Sequence, residues 1–228
     1  MVGRFVILGA VFLASAASHA PSAMTVAAWE KYVAQTEAEL ERARTSPVPP
    51  RPGGITATGD TIDIGAGTIS HWRGTVFIRG VAVDQLLDRL QFPGTPPPQD
   101  DVVSARVVGR TADSLQISMR LVRHAIVTVT YDTEHCMTFH RWSPVLATAR
   151  SVATRIDEVG GGDHGFVWRL RSYWRYDQLQ DGVVVGVEAL TLSRDVPAIV
   201  KPFVAHIITR VARESMERTL EALKRYVE

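Results

Sequence analysis

Several side chains in this sequence carry groups able to bind or transform a ligand, and their spacing limits the chemistry they support. Along 166–177, Phe166, Trp168, Leu170, Trp174 and Tyr176 share one parity, while Arg169, Arg171, Tyr173 and Arg175 share the other. Parity on a strand is facing, so the aromatic set is expected to turn inward, where it either fills a core or stacks on a flat or acyl ligand. The arginines then belong to a solvated sheet face, with forked binding of an anionic headgroup as their lesser use. In the next strand Val184, Glu188, Leu190 and Leu192 alternate with Val183, Val185, Val187 and Ala189, so either set can face the core. With the first set inward, Glu188 is a carboxylate in apolar surroundings, able to orient a ligand or act as a base. Paired with an arginine, or turned to water, it does neither. His71 and Arg73 offer a similar polar anchor or, more simply, surface groups.

Other constellations are weaker. His135, Cys136 and His140 are competent zinc ligands, but neighbours on a strand point to opposite faces, which makes joint coordination awkward; no metal site is expected. Nothing spaced around Cys136 specifies a base or an oxyanion hole. The run Gly160-Gly161-Gly162-Asp163-His164-Gly165 lacks the Lys-Ser/Thr of a phosphate loop and reads as a hairpin connection. Without a nucleophile elbow, a metalloprotease pair or a dinucleotide fingerprint, no catalytic residue and no cofactor is assigned.

The elements that must position these groups follow from pattern. The chain has 228 residues with 25 Lys+Arg against 24 Asp+Glu, a balance that gives nucleic-acid binding no support. A single cysteine excludes an internal disulfide. Residues 1–20 combine Arg4, the apolar run 5–14 and small residues at Ser18 and Ala20, which predicts a signal peptide cleaved after Ala20 and an exported, periplasmic or secreted protein. No segment of the mature chain reaches a membrane-spanning length. Thr25 can cap an amphipathic helix carrying Val26, Trp29, Val33 and Leu40, so 21–46 is an N-terminal helix, docked on the domain or free to meet a partner through 25–44. A Pro/Gly linker over 47–58 follows, and 59–228 is the main domain.

Within that domain, 68–78 reads as a strand with Trp72, Val76 and Ile78 on one side. A short helix carries Leu86, Leu87 and Leu90. Strands are then expected near 102–110, 115–123, 125–132, 136–142, 147–158, 166–177 and 183–193, some merging, with Asp132-Thr133-Glu134 among the turns. Turns this short join antiparallel neighbours. A helix over 202–226 closes the chain, with Phe203, Val204, Ile207, Ile208 and Val211 forming an apolar stripe that resumes at Met216, Leu220, Leu223 and Val227.

This α+β order resembles the helix-grip fold of the START-like (SRPBCC) superfamily, which includes polyketide cyclases, coenzyme-Q-binding proteins and plant allergens. The strings His71-Trp72-Arg73-Gly74, Ser172-Tyr173-Trp174-Arg175 and Arg194-Asp195-Val196-Pro197 resemble those of an exported bacterial branch. The resemblance covers about 66–227 and implies a curved antiparallel sheet of six or seven strands wrapped around its last helix, with an apolar cavity between. It does not imply one chemistry. The residues expected at that cavity are Trp72, Trp168, Trp174, Tyr176, Glu188, Phe203, Ile207 and Val211. The favoured function is non-enzymatic binding or carriage of a hydrophobic small molecule or lipid. The alternatives are a cyclase or dehydratase using Glu188, His71 or Tyr176 inside the cavity, and an interaction module built on helix 25–44.

Overall fold

A computed structural model describes residues 20–92, 101–124, 128–160, 167–195 and 201–228, with side chains excluded over 201–205. Residues 1–19 of the expected leader, loop residues 161–165, Phe166 and the Phe203 side chain therefore lie outside the described residues. Eight strands form one antiparallel sheet in the order β1-β2-β8-β7-β6-β5-β4-β3, one or two more strands than expected. The strands are β1 (Thr56–Asp63), β2 (Gly67–Arg79), β3 (Val102–Arg110), β4 (Ser114–His124), β5 (Thr128–Ser143), β6 (Leu146–Glu158), β7 (Arg169–Leu179) and β8 (Gly182–Arg194). Three helices accompany them: α1 (Ala23–Arg44), α2 (Val83–Gln91) and α3 (Lys201–Val227). None of the described helices is long and apolar enough to cross a membrane.

The additional strand is β1, an edge strand whose residues are half-buried or exposed, so it lacks the apolar alternation that marks a covered strand. Strand β5 runs unbroken where a turn was expected at Asp132-Thr133-Glu134. Those polar residues have partners: Asp132 takes a forked pair of hydrogen bonds from Arg120 on β4 at 2.7 Å, Glu134 meets Arg155 on β6, and Thr133 is buried. Cross-strand charge pairs replace the apolar alternation on an exposed face.

Helix α1 is capped by Ser22, whose Oγ accepts from the Thr25 N–H at 3.1 Å, three residues before the cap expected from sequence. It is docked rather than free. Thr25, Trp29, Val33 and Thr36 are buried at helical spacing, and Trp29 and Val33 pack with Ile69, Tyr173, Leu190 and Leu192. The arginine row of β7 is therefore covered, which corrects its expected solvated placement. Arg171 pairs with Glu30 of α1 at 3.0 Å, Tyr173 donates to Glu37, and Arg175 donates to the Ala43 carbonyl at the end of α1. Exposed Arg169 takes no part in the seam.

On the opposite face, α2 and the C-terminal half of α3 close the main core with Val76, Ile78, Leu86, Leu87, Tyr176, Val183, Val185, Leu220 and Val227. Glycine at 74 permits the contact, because a Cβ there would lie 2.7 Å from Leu220 Cδ1 and 2.9 Å from Met216 Sδ. The N-terminus of α2 borrows its cap, with Gln178 of β7 accepting from the Val83 N–H at 2.9 Å. Trp29 is the apolar anchor of α1, so Trp29→Ala is expected to cost about 3–5 kcal/mol in urea-induced unfolding. A loss under about 1 kcal/mol would show that α1 contributes little to the fold.

Candidate ligand cavity

One turn of α3 touches both sides of the sheet. Met216 and Leu220 sit over β2 at Gly74, while Arg218 reaches Asp101, at the start of β3, with Nη2 3.9 Å from the carboxylate. Asp101 is also ion-paired to Arg123 on β4. In the strand order, β2 and β4 are five steps apart. A flat sheet would separate them by about 24 Å, whereas a helix with its side chains is only about 10–12 Å across. The sheet must bow, and its middle strands lie farthest from the helix.

The register identifies what lines that bow. Ile117 pairs with His135 and His135 with Ala153; Leu115 pairs with Met137 and Met137 with Ser151; Ser151 pairs with Ser172 and Ser172 with Ala189. This is the face that bears Phe139, Ala149 and Tyr176 of the main core. Yet Ile117, Met119, Met137, Ser151, Ala153, Ser172, Trp174 and Ala189 are only half-buried. The α2 end of this face is buried, whereas its side chains over β5–β7 keep part of their surface exposed. Where α3 meets β4, a hollow of about 290 Å3 opens between Asp101, Val122, Arg123, His124, Val211, Glu214 and Arg218, close to the lower size of small-molecule sites.

The polar groups on this side are few. Burial, with the positive charge of Arg218 nearby, pulls the Arg123 guanidinium below its usual pKa. Arg218 Nε is buried without a hydrogen-bond partner. Tyr131 and Glu158 lie opposite one another toward this mouth. Deeper in, His135 is 7% exposed, with Nε2 3.1 Å from Thr133 Oγ1, and burial lowers its pKa to about 4. The Tyr176 hydroxyl is fully enclosed among apolar groups, has no partner, and is pushed well above the usual tyrosine pKa by that burial.

The residues singled out in the sequence divide between the two faces. Trp72, Trp174 and Tyr176 face α3; Trp72 and Tyr176 are buried in the main core and half-buried Trp174 packs against it. Val211 lines the mouth and Ile207 is half-buried nearby on α3. Trp168 and Glu188 are on the α1 side, which corrects their inward placement. Strand β7 begins only at Arg169, so Trp168 escapes its alternation and packs with Trp29 and Leu192. On β8 it is Val183, Val185 and Val187 that face α3, leaving Glu188 opposite Arg73 beneath α1. There His71 Nε2 is 2.8 Å from Glu188 Oε2, the Tyr32 hydroxyl is 2.8 Å from His71 Nδ1, and Arg73 Nε is 3.2 Å from Glu188. Burial acts to raise the Glu188 carboxyl, but the His71 hydrogen bond and the Arg73 charge outweigh it and hold the pKa below the usual value. His71 and Glu188 therefore meet, but not in the cavity and not with Tyr176. His135 was legible only as a poor zinc ligand; the parity Tyr131-Thr133-His135-Met137-Phe139 was the signal that places it inside. Asp101, Arg123 and Arg218, far apart in sequence, carried no such signal.

This architecture, a bowed antiparallel sheet gripping a long terminal helix, is the START-like helix-grip fold. The chain aligns with a STAR-related lipid transfer protein from Xanthomonas axonopodis at TM-score 0.54 and 16% identity, covering 79% of this chain and 97% of that one. It aligns with a Thermus thermophilus structure at TM-score 0.52 and 16% identity, over 68% and 94% of the two chains. Human STARD10 aligns at TM-score 0.51 and 8% identity, over 83% and 77%. No family model matches the sequence, and no curated protein matches it.

The buried histidine gives a pH signature. Its folded pKa of about 4 lies below the ordinary 6.5, so the unfolded chain binds the proton first as pH falls. Its contribution is complete above pH 6.5 and is lost progressively toward pH 4, by about 3 kcal/mol. Chemical unfolding at pH 7 and pH 4.5 is expected to show a smaller acid loss for His135→Gln than for the parent chain. Equal losses would mean that His135 is not held neutral.

Proposed function

We propose that this chain is an exported binding or carrier protein for a hydrophobic small molecule or lipid, held between the sheet and α3. The observation that carries this reading is the bow imposed by the single turn Met216–Leu220, which leaves small and apolar side chains half-buried in the middle of a helix-covered face. The printed description of the Xanthomonas protein as a lipid transfer protein supports the ligand class, and the signal-peptide pattern of residues 1–20 supports export. A ligand burying about 300 Å2 of apolar surface would gain about 7 kcal/mol before association and ordering costs are subtracted. A cyclase-type reading needs acid and base groups converging in the cavity, whereas His71 and Glu188 converge on the far face.

Native mass spectrometry of protein purified from its own host is expected to show a retained apolar guest. Ser151→Trp places an indole over the floor of the bow and is expected to lower binding of the hydrophobic dye Nile red at least tenfold with little change in melting temperature. Unchanged dye binding by a well-folded Ser151→Trp protein would place the ligand elsewhere.

A further inference from the structure

Where α3 faces β4, one guanidinium has donors and lacks an acceptor. Arg218 lines the hollow of about 290 Å3, with Nη2 3.9 Å from Asp101 and Nη1 3.8 Å from Glu214, both beyond hydrogen-bond length. Its Nε is buried without a partner, and among the described residues the side chain makes no hydrogen bond. A guanidinium stays charged and can only donate, so the missing group is an acceptor. The neighbouring carboxylates are engaged elsewhere: Asp101 is ion-paired to Arg123, and Glu214 also lies 3.9 Å from Arg210, one turn earlier on α3. Burial first, and then the positive charge of Arg218, act against the charge on Arg123, so the two cations oppose one another across the hollow. Val122 and Val211 add apolar surface to the same lining.

We infer that this hollow takes the head of a monoanionic amphiphile: a carboxylate held by the Arg218 guanidinium, with the first carbons of its chain against Val122 and Val211. This rests on the hydrophobic-ligand reading above and adds the head group that the ligand bears. A planar carboxylate accepts two parallel N–H bonds from a guanidinium, and its charge makes them stronger than those to a hydroxyl or an ester. A dianionic phosphate fits less well, because Asp101 and Glu214 lie close to the same guanidinium and repel the second charge.

The test is calorimetric titration of the full chain with decanoate, decanol and decyl phosphate, below micelle-forming concentrations. Decanoate is expected to bind about tenfold tighter than decanol, the low end for a hydrogen bond to a charged group because the Arg218 side chain is 35% exposed, and at least as tightly as decyl phosphate. Arg218→Gln is expected to bring decanoate down to the affinity of decanol and to leave decanol unchanged. Glu214→Gln removes a competing carboxylate and is expected to tighten decanoate about threefold, a gain that a misfolded protein cannot give. Equal affinity of decanoate and decanol in the parent chain overturns this inference and leaves the hydrophobic-ligand reading intact. So does decanoate that is unchanged in Arg218→Gln, lost there together with decanol, or no tighter in Glu214→Gln. Decyl phosphate binding tenfold tighter than decanoate overturns the single charge. Failure of Nile red and all three compounds to bind overturns both readings.

Discussion

The seating of one turn of α3 against Gly74 on one side and Asp101 on the other is the constraint from which the remaining geometry follows. Five inter-strand steps cannot be spanned by the width of a helix without bending the sheet. Bulges in the ladder accommodate the bend. The β3–β4 pairing skips Val103 and Val108, and the β5–β6 pairing skips Trp142 and Thr154, each an extra residue that increases local twist and curvature. Val103, Val108 and Trp142 are exposed as a result, so these large apolar side chains on the surface reflect ladder geometry.

Bending also determines what happens on the outer face. Strands β2, β8 and β7 carry apolar groups on both sides, and α1 covers Ile69, Tyr173, Leu190 and Leu192. Its surrounding ion pairs with Arg150 and Arg171 are partly exposed and individually worth little, so Trp29 and Val33 hold the helix and the charges set its register. The polar groups beneath α1 are nearly all matched, through Tyr32, His71, Glu188 and Arg73, with Trp29 Nε1 the exception. On the α3 side the buried Trp72 Nε1, Tyr176 hydroxyl and Arg218 Nε lack hydrogen-bond partners. A satisfied network fixes one structure, whereas the α3 side leaves several buried polar groups unpaired.

Element order, the terminal helix and the antiparallel connections were legible because they depend on local periodicity and short turns. Facing was legible only where one side is polar. Strand β8 is covered on both faces, so Val183–Val187 reads as a continuous apolar run and its parity cannot say which valines meet α3. Glu188 and the arginines of β7 were misplaced because their partners are distant in sequence: Glu188 meets His71 and Arg73 on β2, and Arg171 and Arg175 meet α1. Even there, the regular glutamates of α1 at Glu30 and Glu37 matched the arginine row, a charge complementarity that alternation alone does not weigh. The mouth residues Asp101, Arg123 and Arg218 meet only through the bend, and no local pattern encodes it.

The order of groups along β5 gives the α3-facing side of the sheet a gradient of polarity. Tyr131 lies at the charged end near Arg123, His135 two interior positions deeper, and Phe139 two deeper again at the α2 end, with about 13 Å between successive members of this series. Polarity falls along that path from ions, through a neutral ring, to an aromatic hydrocarbon. A charged group midway would demand a counter-ion and would remain costly when paired. The neutral imidazole instead puts no ionic charge midway along the interior row of β5.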